Sequence, residues 1–266
     1  MKFKDCPAVI LGAGEGRRFL NRKRHKSLLN IKQDSRIIDH ILSNLERNGV
    51  RLVLILHGDN DDGLTEYIYE LKHHIIQKEF KDLDISLLQA REDCIKGPLY
   101  TLLTLHSAQN SVKVANEVRE NFLILPSDTV FHPIIYERIL NEHMNNNESC
   151  LVHLFVLEVA GNELQLFNKK YKFTARKYPS KDFIIKQKSN MILAPIVVVC
   201  DEFLKYANSR LGEGLNTVFD VIKVLEAKSD SIVIHKIPYN DSIPPFLDID
   251  TKEKHNILMK IRDHYI

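Results

Sequence analysis

From residue 7 to residue 145, short apolar runs alternate with stretches of helical periodicity, and this alternation narrows the possible folds more than any other feature. Pro7 to Leu11 reads as a buried strand ended by Gly12. Ile37, Ile38, Ile41, Leu42 and Leu45 fall on one helical face, and Asn48-Gly49 stops that helix. Strands are predicted over Arg51 to Leu56, Leu83 to Leu88 and Asn121 to Leu125, with helices over Leu64 to Phe80, from Pro98 to about Ala108, and from Pro133. Such a series builds βαβ units and a parallel sheet. After Cys150 the pattern changes. Leu151 to Val159 and Ile192 to Val199 are strand-like without long helices between them, which predicts an antiparallel or mixed insertion on the same sheet. Helices follow at Phe203 to Tyr206 and Leu215 to Ala227, then a strand at Ser231 to Ile237 and a closing helix at Thr251 to His264. The prediction is an α/β, Rossmann-like fold with a mixed, mainly parallel sheet flanked by helices. No linker or repeat divides the 266 residues, so one domain is expected, with residues 1–145 and 146–266 as its halves.

Composition matters at one place. The chain has 10 glycines, about half the usual share, and Gly12, Gly14 and Gly16 lie within five residues at the end of the first strand. A basic stretch of Arg17, Arg18, Arg22, Lys23, Arg24, His25 and Lys26 follows directly. Lys plus Arg is 37 against 35 acids, a formal net charge of +2, so no global field draws a nucleic acid and none is expected as a partner. Cys6, Cys94, Cys150 and Cys200 form no C-x-x-C pair and are expected to be free thiols. No signal-peptide core or membrane-length apolar run occurs, which points to the cytoplasm.

A strand running into Leu11-Gly12-Ala13-Gly14-Glu15-Gly16 presents backbone N–H groups to an anion, because side chains would block the approach. A Walker A loop is excluded, since no glycine precedes Lys26-Ser27 at the required place. A dinucleotide fingerprint fits poorly. The third glycine is one residue early, and Asp59 ends the second strand too far along the chain. The loop followed by Lys26-Ser-Leu-Leu resembles the signature of the nucleotidyltransferase family, which includes sugar-phosphate, inositol-phosphate and phosphocholine nucleotidyltransferases. That pattern is L-[AG]-[AG]-G-x-G-[ST]-R followed by P-K-x-L. Gly14, Gly16, Arg18 and Lys26 match its fixed positions, whereas Arg17 stands for Thr or Ser and His25 for Pro. The resemblance implies a nucleotide-diphospho-sugar transferase-like fold, with Leu11 to Gly16 on the nucleotide and Arg18 and Lys26 acting in catalysis.

The residues support that chemistry independently. When a phosphate attacks the α-phosphorus of a triphosphate, two anions must meet, so positioning and charge neutralisation dominate. A divalent cation such as Mg²⁺ then needs carboxylates. Asp128 follows a buried strand at its carboxyl end, where α/β sheets bind ligands; it also suits a turn or cap before Pro133. Phe246 to Lys254 resembles the family's W-x-D-I-D-T-P-E-D element. This implies Asp250, or Asp248 in reserve, as the second metal carboxylate, although Asp250 or Thr251 also suits a helix cap with Glu253 in its first turn. Lys252 and Lys254 replace Pro and Asp of that element. Gly97-Pro98 resembles the helix start beside the nucleobase, and equally a plain turn. Lys188, or alternatively Lys186, resembles the lysine facing the acceptor phosphate.

Three functions follow for comparison. The first is a Mg²⁺-dependent transferase, CTP favoured, joining a nucleoside triphosphate to an inositol phosphate, phosphoalcohol or sugar phosphate with release of pyrophosphate. The second is a non-catalytic relative that binds nucleotide, suggested by Arg17, His25, Lys252 and Lys254. The third is a dinucleotide-binding oxidoreductase. A homo-oligomer is compatible with all three.

Overall fold

Apolar runs become central strands when both of their faces are covered, and that is how this chain folds. The structure, a computed structural model, describes residues 6–13, 25–33, 35–58, 63–71, 80, 82–108, 121–145, 150–159, 191–225, 231–241 and 243–266. In chain order the elements begin with β1 (Ala8–Gly12), β2 (Asn30–Lys32), β3 (Ser35–Arg36), α1 (Ile37–Arg47), β4 (Leu52–His57), α2 (Leu64–Glu70) and β5 (Asp84–Gln89). Next come α3 (Pro98–Leu102), α4 (Thr104–Ala108), β6 (Asn121–Pro126), β7 (Thr129–Phe131), α5 (Pro133–Asn145), β8 (Val152–Glu158) and β9 (Met191–Cys200). The chain closes with α6 (Asp201–Ser209), α7 (Val218–Leu225), β10 (Ile232–Pro238), β11 (Phe246–Asp248) and α8 (Lys252–Ile261).

Seven strands form one sheet in the order β10-β8-β9-β6-β1-β4-β5. β1 pairs in parallel with β4 and β6, and β4 with β5, while β9 runs antiparallel to both β6 and β8. The sheet is thus mixed and mainly parallel, as the sequence predicts. Residues alternate between two cores. Ile10, Ile55 and Leu125 pack on one face beneath α1, α2, α5 and α8, through Ile41, Ile68, Ile139 and Leu258. Val9, Leu54 and Ile124 pack on the other beneath α3, α4, α6 and α7, through Leu102, Leu105, Phe203 and Ile222. Burial on both faces is why the strands read as continuous apolar runs.

Details differ from the sequence reading for physical reasons. The helix expected from Pro98 to Ala108 is two short helices meeting at Leu103. The closing helix starts at Lys252 and tightens after Ile261 into a 3-10 turn, Arg262–His264. Pro195 lies within β9, where it has no N–H to give the ladder, and the β8–β9 register shifts opposite it between Leu154 and Val156. Gly49 ends α1 at φ +83°, the left-handed stop that Asn48-Gly49 predicts. None of the four cysteines is joined in a disulfide. Among the described residues, no helix is long and apolar enough to cross a membrane.

The topology creates one crevice. From β1 the chain moves outward to β4 and β5, then returns to place β6 on the opposite side of β1. Connections therefore diverge at the carboxyl ends of β1 and β6, the position where open α/β sheets bind ligands. Because β9 is reversed, β8 ends and β9 begins at this same edge, with Glu158 opposite Met191.

Candidate active site

Three stretches distant in sequence meet at this crevice. The first is the end of β1. Leu11 lies beside Pro126 across the parallel pair, and its carbonyl accepts the Ser127 N–H at 3.3 Å. Gly12 has no room for a side chain: an added Cβ would lie 3.0 Å from the Leu56 oxygen and 3.2 Å from Leu64 Cδ2. Ala13 is buried against Gly58, which follows β4. Gly14, Glu15, Gly16 and Arg18 lie outside the described residues, as do Lys186, Lys188 and Asp59. The chain resumes with His25 and a 3-10 turn, Lys26–Leu28.

The second stretch follows β6. Asp128 lies in the tight turn between β6 and β7, and its carboxylate Oδ2 is 3.2 Å from Lys26 Nζ. Both side chains are partly shielded from water. Two residues 102 positions apart, chosen from sequence as a catalytic cation and a metal ligand, thus form an ion pair. The turn itself accounts for the alternative reading of Asp128, and the two roles are compatible.

The third stretch arrives through a short ladder. β11 runs antiparallel to β7 with Asp248 opposite Thr129, and the Ile249 N–H donates to the Asp128 carbonyl at 2.8 Å. This backbone bond brings the Asp248–Asp250 segment alongside Asp128. Asp248 is buried. Asp250 Oδ1 lies 2.8 Å from Lys254 Nζ, one helical turn along. The cap of α8 is Thr251, whose hydroxyl accepts from the Lys254 N–H at 3.3 Å. The capping role therefore falls to Thr251, and the Asp250 carboxylate pairs with a lysine.

The chain from residue 7 to residue 163 matches the family model described as nucleotidyl transferase. The chain belongs to this family. No curated protein matches it. Among solved structures, UDP-glucose pyrophosphorylase in complex with UDP-glucose is similar at 16% identity and a TM-score of 0.69, covering 97% of this chain and 98% of that one. A putative glucose-1-phosphate thymidylyltransferase from Bacillus anthracis is similar at 14% identity and 0.68, covering 96% and 95%. The inositol-1-phosphate CTP transferase from T. maritima is similar at 12% and 0.67, covering 98% and 97%. At such identities these likenesses speak for the fold, and they agree on it over the whole chain. The chain is therefore a nucleotidyl transferase rather than a dinucleotide-binding oxidoreductase.

Two features of this nucleotidyl transferase escaped the sequence reading. His25 is buried and bonded on both ring nitrogens, to the Gly12 carbonyl at 2.7 Å and the Ser27 hydroxyl at 2.6 Å. Its only signal was the departure from proline. Gly97 makes a close backbone approach, and the neighbour it meets is part of the protein. At φ +146°, an added Cβ would lie 2.4 Å from the Asn216 carbonyl oxygen, which accepts the Leu99 N–H at 3.1 Å. The glycine is thus required by packing between α3 and the segment leading to α7.

The donor set suits a hard cation. Asp128, Asp248 and Asp250 offer carboxylate oxygens alone, and Mg²⁺ is typically held by one or two carboxylates together with substrate phosphates. Among the described residues, no group of three or more His, Cys, Asp or Glu is arranged to hold a metal by itself.

Proposed function

We propose that this nucleotidyl transferase joins a nucleoside triphosphate, CTP by preference, to a phosphorylated small molecule, with Mg²⁺ as cofactor and pyrophosphate as the second product. An oxygen of the acceptor phosphate attacks the α-phosphorus, a new P–O–P bond forms, and the α–β bond breaks with its electron pair leaving on pyrophosphate. The nucleophile is already ionised, so no general base is required. The observation that carries this reading is the meeting of Lys26, Asp128 and the Asp248–Asp250 segment at the β1–β6 crevice.

In this reading the Leu11–Gly16 backbone and Arg18 cradle the β- and γ-phosphates. Lys26 leaves Asp128 for the α-phosphate, where its ammonium neutralises charge that builds in the transition state. Asp128 and Asp250 hold Mg²⁺, with Asp248 the alternative second ligand, and Gly97 lies beside the base. The cation supplies charge neutralisation across the phosphates. Lys188, or Lys186, steers the acceptor phosphate. These lysines precede β9 by a few residues, and β9 enters the sheet at the site's edge, which supports the assignment.

The acceptor proposed is an inositol phosphate, with a phosphoalcohol or sugar phosphate as the neighbouring choices. The names of the similar structures, which include an inositol-1-phosphate CTP transferase, support phosphate-ester acceptors as a class. One continuous sheet through both halves supports a single working domain over 1–266. A cytoplasmic location and a homo-oligomeric state belong to the same proposal. Pyrophosphate release, measured over four triphosphates and a panel of acceptor phosphates, tests it. CTP with inositol phosphate should give the fastest turnover, and no product from any pair overturns the reading.

A further inference from the structure

The ring of His25 joins the two ends of the phosphate loop. Gly12 closes β1, His25 stands where the described chain resumes, and the loop between them contains the glycines and Arg18. A carbonyl only accepts, so His25 Nε2 carries the proton and donates it to the Gly12 oxygen at 2.7 Å. A backbone N–H only donates, so Nδ1 is unprotonated and accepts from the Ser27 N–H at 3.3 Å. The Ser27 hydroxyl lies 2.6 Å from the same nitrogen. The Gly12 carbonyl therefore requires the proton on Nε2, and the Ser27 N–H suits the tautomer with Nδ1 as acceptor. His25 is 7% exposed and Ser27 is fully buried, so these bonds are shielded from bulk water.

Lys26 stands between the two residues this ring holds. Its neighbours His25 and Ser27 are anchored to β1 and to each other, and its ammonium reaches Asp128 at 3.2 Å. The backbone of His25 has φ −58° and ψ 139°, values that a proline would adopt without strain. Backbone angle alone therefore gives no reason for histidine here, whereas the ring bonds do.

We propose that His25 is a positioning residue of this transferase, a side-chain clasp that ties the closing end of the phosphate loop to its opening end and so sets the place of Lys26. The proposal rests on the reading of Lys26 as the cation at the α-phosphate. A clasp of this kind acts on orientation. Misplacing a catalytic group by about 1 Å costs on the order of 100-fold in rate, so losing the clasp should lower kcat more than it raises KM for the triphosphate.

Three substitutions separate the possibilities. His25→Pro keeps the backbone angle and removes both ring bonds. His25→Asn reproduces only the local Nδ1 position. His25→Gln places an amide N–H close to the position of Nε2–H. The clasp predicts kcat lower by roughly 10- to 100-fold for Pro and Asn, and within about threefold of the parent for Gln. Each variant is checked for folding by circular dichroism and thermal unfolding. A double-mutant cycle with Lys26→Met then tests the route of action. If His25 works through Lys26, His25→Pro has little further effect on kcat in the Lys26→Met background. Wild-type kcat in His25→Pro, or full additivity in the cycle, overturns the clasp while leaving the site reading intact. Wild-type kcat in Lys26→Met alone overturns the site reading itself, a separate outcome.

Discussion

Two polar clusters lie on this sheet, and they are built on opposite terms. At the β1–β6 crevice the groups are charged, partly exposed and paired: Lys26 with Asp128, and Lys254 with Asp250. Under the end of α5, far along the sheet, the groups are histidine rings, and His153 and His235 are buried. His153 Nδ1 and His235 Nε2 share a hydrogen bond of 2.9 Å between adjacent parallel strands, His235 stacks on Phe155, and His143 stands edge-on to His153. Burial, reinforced by the neighbouring rings, holds His153 well below the ordinary histidine range; burial followed by the charge of His143 does the same for His235. Charge is kept where each group has an opposite partner and some water, and is excluded where burial leaves neither.

The sharpest way to break this contrast is to exchange the consequences. Asp128→Ala should lower turnover by roughly 100-fold or more, the order expected when an electrostatic group is removed from a transition state, while thermal stability changes little. Pyrophosphate release and a melting curve measured on the same sample decide it. His235→Phe should do the reverse, leaving kcat near its parent value and altering stability. If both substitutions act on turnover alone, the division between working and structural polar groups is wrong.

Gly97→Ala comes next in size. Its Cβ would collide with the Asn216 carbonyl at a backbone angle that alanine avoids, so a loss of about 2 kcal/mol or more is expected from urea unfolding. An unchanged midpoint would mean that the Asn216 segment moves aside freely.

Acid should act mainly on the ring cluster and on His40. Burial pushes His40 down to about 4, while its Nε2–H donates to the Phe131 carbonyl at 2.9 Å. An unfolded histidine titrates near 6.5, so between that value and the lower folded value the unfolded chain binds more protons. Stability is therefore complete above about pH 6.5 and declines as the pH falls toward 4, by up to about 1.4 kcal/mol per unit for each such histidine. Urea unfolding at pH 7, 6 and 5 measures the slope, and His153→Leu/His235→Leu should flatten it. A slope unchanged in that variant would assign the acid sensitivity to other groups.

The smallest effect is expected from Lys254→Met. Removing the ammonium from Asp250 should cost about 1 kcal/mol or less and lower, by a few-fold, the Mg²⁺ concentration at half-maximal turnover. Direct Mn²⁺ binding measured by electron paramagnetic resonance checks the same direction without turnover. Unchanged affinity would show that Lys254 does not compete for that carboxylate.

The parallel half was legible because strands covered on both faces must be apolar throughout, and Pro7 to Leu11 or Asn121 to Leu125 cannot be much else. The position of Asp128 was legible for a topological reason, since a residue just past such a strand falls at the carboxyl edge of the sheet. The β7–β11 ladder was not. Three-residue strands carry no usable periodicity, and their pairing joins positions more than 100 residues apart. Gly97-Pro98 read equally as a helix start beside a base and as a plain turn, because a dipeptide cannot show that Asn216 packs against it. His25 and Lys254 looked like departures from a pattern, and their meaning came only from the atoms they touch.

The reversed direction of β9 has a consequence for how such a protein can diversify. The chain leaves the sheet after β8 and returns into β9 at one edge, so the connection needs no crossover, and doubling its length costs only about 0.6 kcal/mol in closure entropy. A change of length between those strands leaves the antiparallel pairing of β8 with β9 free to keep its register. Length variation between β8 and β9 can therefore accumulate beside an unaltered sheet order.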